Sequence, residues 1–142
     1  MSSKNVSTLL KTNLSAQIQE EAKRGDSFVV HRLLFNCFGH NGAILLAFLI
    51  YQRDRLIRLG RIDENYPMFQ TTLLSLSANL DMGIRTVRKA KKLLIDLGVL
   101  ESYGLGGHPP KEQFLINDAK IYYYMKRCND KLDRYTRNWY GP

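Results

Sequence analysis

Between Gly83 and Leu94 the chain carries five basic side chains, Arg85, Arg88, Lys89, Lys91 and Lys92, and no acidic one. Ile84, Val87, Ala90, Leu94 and Leu97 recur three and four residues apart. As a helix, the segment therefore turns one apolar stripe to a core. Arg85, Thr86, Arg88, Lys89 and Lys92 then lie on the opposite side, with Lys91 at the boundary. Arg85/Lys89 and Arg88/Lys92 are like-charged i,i+4 pairs, each costing an isolated helix roughly 0.2–0.5 kcal/mol. A solvated face ordinarily mixes signs, so a face of one sign suits an anionic partner. In a DNA major groove, arginine grips a guanine edge with two parallel hydrogen bonds, while lysine meets phosphates as a point charge. These residue types at this spacing point to a helix that reads DNA; the plain alternative is an amphipathic helix with a basic solvent side.

The whole chain leans the same way. Its 142 residues hold 21 Lys and Arg against 13 Asp and Glu, a net charge of +8, with a pI near 9.6. That balance favours a polyanionic partner. The 44% apolar and 11% aromatic content is enough to build a core without disulfides or metal. Cys37 and Cys128 show no C-x-x-C spacing and read as two reduced thiols. His31, His40 and His108 stand too far apart to make a metal site. There is no lysine-bearing phosphate loop, nucleophile elbow or H-E-x-x-H, so neither enzyme activity, cofactor nor metal is expected. The opening MSSKNVS has no apolar signal region. The longest apolar run, AILLAFLIY at 43–51, is much shorter than the ~20 residues of a bilayer span. A cytoplasmic protein without a membrane partner is the expectation, in the host cytoplasm if the protein is viral.

The elements that must position the basic helix are legible on either side of it. Residues 5–24 have a helical period, giving an N-terminal helical extension over 1–26. SFVVHRLL (27–34) has the composition of a short strand, and Asn36–Gly42 reads as a break. Asn41 to about Leu59 is helical, and GRIDENYPMFQ (60–70) is a loop. Thr71 or Thr72 caps a short helix, TTLLSLSANL, because a threonine oxygen satisfies a free N–H of the first turn. Asp81-Met82-Gly83 makes a turn, Gly83 starts the basic helix (84–97) and Gly98 ends it. VLESY (99–103) and EQFLIN (112–117) are two strands joined by a glycine- and proline-rich loop.

Helix, three-residue turn, helix, strand, loop and strand is the order of a winged helix-turn-helix. The fold class is thus α+β, mainly α, with a two-stranded wing and additional N- and C-terminal helices. In this arrangement Thr71 and Thr72 at the helix cap, and Gly106, Gly107, His108 and Lys111 on the wing, join the recognition-helix residues as candidate DNA contacts. LSANLDMGIRTVRKAKKLLIDLGVLESYG, followed by GGHPPKEQFLIN, resembles the winged-helix domain of phage and plasmid replication initiators, replisome organisers and related small regulators. Thr86-Val87, Leu94 with Leu97-Gly98-Val99-Leu100, and Phe114-Leu115-Ile116-Asn117 carry the resemblance. GHNGAILLAFLIYQRD resembles the group's first long helix. The likeness covers about residues 28–117 and departs at Gly83, where the group often has serine.

The resemblance implies sequence-specific binding of double-stranded DNA by a transcriptional regulator or replication-origin-binding protein of a phage, virus or plasmid. Contacts with replication or transcription machinery come with it. The alternative is a winged-helix module for protein–protein assembly, its basic helix facing an acidic partner. After the winged-helix domain (27–117), residues 118–142 form a C-terminal helix and tail. Ile121, Met125, Cys128, Leu132, Tyr135 and Trp139 follow at heptad spacing. Two readings stay open: a helix laid back on its own core, or a seam that makes a homodimer and sets two recognition helices one DNA turn apart. Lys120, Arg127, Lys131 and Arg134 run beside that seam, interrupted by Asp130 and Asp133.

Overall fold

A computed structural model of the chain describes residues 14–20, 27–108 and 110–139, with residues 132–139 by backbone alone. The elements are α1 (14–20), α2 (Arg32–Arg58), β1 (Phe69–Thr72), α3 (Leu73–Leu80), α4 (Ile84–Asp96), β2 (Leu100–Gly106), β3 (Lys111–Ile116) and α5 (Asp118–Trp139). The rest of the expected N-terminal helix lies outside the described residues, as does the tail beyond 139. Within α1, Leu14 and Ile18 are exposed.

The centre of the fold is α2. By length and composition it could cross a bilayer, but Leu45, Leu46 and Leu49 have no exposure at all. Its apolar circumference is spent on the protein's own core, packed by α4 on one side and α5 on the other. The helix is broken once, at Gly39, whose backbone turns to φ 73°, ψ 176°. Only glycine adopts that conformation at little cost. One turn on, Gly42 lets α4 approach: a Cβ there would stand 3.3 Å from a methyl carbon of Leu93. The expected strand at 27–34 is not present. Residues 27–31 form neither helix nor strand, and Phe28 and Val30 are half-buried while Ser27 and Val29 are exposed. Phe28 meets Phe48 edge-on at 5.5 Å. The alternation is that of a strand, yet no strand pairs with it among the described residues, and the helix begins at Arg32.

The sheet has three antiparallel strands in the order β1-β3-β2. β2 and β3 are the expected wing. β1 is the unexpected strand: it takes Phe69 and Gln70 from the expected loop and Thr71 and Thr72 from the expected helix, and it runs into α3 with no residue between. It aligns Phe69 with Phe114 and Thr72 with Lys111, and the two phenyl rings lie 6.1 Å apart. Leu76 of α3, Val87 and Leu94 of α4, Val99 just before β2, and Leu100 and Phe114 of the sheet close the core over α2. Burying a residue of this size removes it from water at a gain of roughly 1.5–3 kcal/mol.

The core continues past residue 117. Asn117 caps α5 by accepting a hydrogen bond from the Lys120 N–H at 3.1 Å, and Ile121 joins the buried cluster. Arg53 of α2 donates two hydrogen bonds, 2.9 and 2.8 Å, to the Asp118 carboxylate. The Tyr124 hydroxyl donates to the Leu97 carbonyl at 3.2 Å. The near half of the proposed dimer seam, Ile121 and Met125, is therefore packed on the chain's own core. The side chains of Leu132, Tyr135 and Trp139 lie outside the described residues.

Candidate nucleic-acid interface

The helix-turn-helix is held by few groups. Thr72, rather than Thr71, is the cap of α3: its Oγ1 accepts from the Ser75 N–H at 3.0 Å. Asp81 closes α3 in the left-handed region at φ 51°, a conformation that aspartate enters more readily than most residues. Ser77 clamps the turn from both sides: its carbonyl accepts the Met82 N–H and its hydroxyl donates to the Met82 carbonyl. Gly83 then starts α4 in extended conformation without a side-chain cap.

On α4, Val87, Ala90 and Leu94 are buried. Ile84 departs from the expectation: placed in the core by its spacing, it is 37% exposed. It sits at the first turn, where the helix has not yet met the core, and lines a groove of about 300 Å³ with Leu73, Leu74, Arg88, Pro110 and Glu112. Arg85, Arg88, Lys89 and Lys92 are exposed, and the structure gives none of the four an ion pair or hydrogen bond among the described residues. Thr86 is half-buried. It faces a cleft of about 380 Å³ that it shares with Gly39, His40, Asn41 and Lys89, so α2 flanks the basic helix directly beyond its kink.

Lys91 follows a different course. Its ammonium pairs with Glu112 of β3 at 2.6 Å, while the other carboxylate oxygen accepts from the Ser102 hydroxyl of β2 at 2.6 Å. Burial pushes the Glu112 carboxyl up, but the Lys91 and Ser102 hydrogen bonds and the Lys91 charge outweigh it and hold the group below its ordinary value. One carboxylate thus ties the basic helix to both strands of the wing. Sequence reasoning missed Glu112 and Ser102; the only signal was a single acid in a strand facing a basic helix, 21 residues from its partner.

The wing brings together several candidates and leaves others apart. Thr71 and Thr72 stand opposite Glu112 and Lys111 in the sheet register. Thr71, Thr72 and Lys111 share a shallow depression with Gln70 and Ser75. Gly106 and Gly107 take φ 76° and 95°, which the reversal of the hairpin requires. His108 is exposed at the tip. Leu105 has no partner in the register, which jumps from Gly104 to Gly106. This bulge turns an apolar side chain outward at the end of the wing.

Helix-turn-helix, three-stranded sheet and β2–β3 hairpin define a winged helix. No family model matches the chain, and no curated protein matches it in sequence. Among solved structures, the N-terminal domain of a DNA binding protein is similar, with a TM-score of 0.50 and 21% identity over 78% of this chain and 92% of that one. A Rep–DNA complex has a TM-score of 0.47 at 21% identity, covering 80% of this chain and 94% of that chain. An MDR initiator has a TM-score of 0.49 at 22% identity, covering 76% and 93%. At such identities the likeness is one of fold.

Proposed function

We propose that the protein binds double-stranded DNA with α4 in the major groove and the wing against the neighbouring backbone. The observation that carries this reading is the split among the basic residues of α4. Lys91 is neutralised within the fold, while Arg85, Arg88, Lys89 and Lys92 project from the same helix into solvent. Arg85 and Arg88, near the helix start, read base edges; Thr86, Lys89, Lys92, Thr71, Thr72, Gly106, Gly107, His108 and Lys111 set the register on the backbone. The similar fold of a DNA binding protein's N-terminal domain supports the reading.

In biological terms this is a sequence-specific transcriptional regulator or replication-origin-binding protein of a mobile genetic element, acting as a homodimer through the far half of the α5 seam. Binding to a random duplex, followed by fluorescence anisotropy across salt concentrations, tests the first part. With about five phosphates neutralised, log affinity falls against log salt with a slope of about −4 to −5. No duplex binding at low salt would refute the reading. Leu132→Asp gives monomers in sedimentation if the seam dimerises; an unchanged oligomeric state removes that part. The second reading, an assembly module, is favoured by Leu74 and Ile84, which are exposed in the groove between helix and wing. Binding to an acidic protein with no affinity for duplex would select it.

A further inference from the structure

Cys37 lies on the short first arm of α2, two residues before the Gly39 break, and Cys128 lies on α5. They are 91 positions apart, yet α2 and α5 pack together. The Cys37 thiol donates to the Tyr124 carbonyl at 3.5 Å. In an α-helix that carbonyl also accepts the N–H of the residue four positions on, which is Cys128, so the second thiol belongs to the turn that Cys37 touches. The Cys128 thiol stands near enough to the Cys37 thiol to push it up. Both thiols are free and half-buried. Phe38 and Tyr124, the neighbours of this pair, pack edge-on at 5.9 Å and hold the two helices in register at that level.

We infer that Cys37 and Cys128 form a modification site: an intrachain disulfide made by exchange with a small-molecule disulfide, which fastens α5 to α2. Thiolate from Cys128 attacks one sulfur of the reagent, its S–S bond breaks, and one reagent thiol leaves. Cys37 then loses its proton and displaces the second reagent thiol from Cys128. The two protein sulfurs are oxidised, the reagent is reduced to two thiols, and both protons end on them. Burial first, and then the Cys128 thiol, push the Cys37 thiol up to about 12, so the closing step is slow. The bridge closes a long loop, and its stabilisation acts on the unfolded chain.

The folded, full-length protein is incubated with oxidised glutathione, digested without reductant and mapped by mass spectrometry. The expected product joins the Cys37 and Cys128 peptides within one chain and raises Tm by about 5–15 °C, reversed by dithiothreitol. Cys37→Ser and Cys37→Ala each remove both the bridge and the shift. Glutathione adducts on separate thiols with no internal bridge, a bridge between two chains, or a bridge that leaves Tm unchanged would each overturn the inference. None of these readouts involves DNA, so its failure is distinct from failure of the DNA-binding reading.

Discussion

Two arginines show how differently this fold treats the same residue type. Arg53, on the buried side of the molecule, has only 11% of its side chain exposed and is pinned between Asp54 and Asp118. Arg88, on α4, is exposed and has no ionic partner among the described residues. The α2–α5 side is built from satisfied groups: a bidentate ion pair, a tyrosine hydroxyl on a helix-end carbonyl, an isoleucine in the core. The α4–wing side keeps its charges available and uses one acid, Glu112, only to orient the helix. Basic side chains paired inside a fold stabilise it, whereas those left unpaired at like-charge spacing cost it a little and await something outside.

The contrast is broken if stability and binding cannot be separated. The largest effect belongs to the packed side. Ile121→Ala opens the core under α5 and costs about 2–5 kcal/mol in chemical denaturation, with the salt slope of duplex binding unchanged. Next, Arg88→Ala costs about 1–3 kcal/mol at a preferred site and relaxes preference there, with denaturation unaltered. If it lowers stability instead, the exposed face is structural. The smallest effect tests the tie between the two parts. Glu112→Gln removes on the order of 1 kcal/mol of stability at neutral pH. Because the folded carboxyl is held below its ordinary 4.5, that contribution is complete above the ordinary value and is lost as pH falls through the lower, folded one. The variant should therefore show a shallower acid limb of stability than the parent, and an identical limb would place the tie elsewhere.

Periodicity made the helix-turn-helix and wing legible, because α4 repeats its apolar residues at helical spacing and the glycine-rich turn has few other uses. It failed where context decides. Phe28 and Val30 alternate as in a strand, but strand formation needs a partner, and none lies alongside among the described residues. Phe69–Thr72 is too short to announce itself, and becomes a strand only because β3 offers an edge. Ile84 shares the stripe of Val87, but one helical turn earlier the core has not begun. Pairings such as Lys91–Glu112 and Arg53–Asp118 join residues 21 and 65 positions apart, and no local pattern encodes which charges meet. The outward face of α4 could be assigned from spacing, because it follows once the inward face is known.

The break at Gly39 carries a consequence of handedness. Apart from the adjoining residues and the helix's own nearby backbone, no described atom lies within 4 Å of where an L-residue's Cβ would stand, so the position is roomy and the obstacle to substitution is chirality. The mirror image of φ 73°, ψ 176° is ordinary extended backbone, so D-alanine introduced by chemical synthesis would adopt this conformation without backbone strain. It would stiffen the unfolded chain, adding about 0.4–1 kcal/mol, while L-alanine at the same place would be strained. A ribosome supplies only one non-chiral residue, and the bend in the central helix, with the cleft it opens beside Thr86 and Lys89, depends on that residue being used.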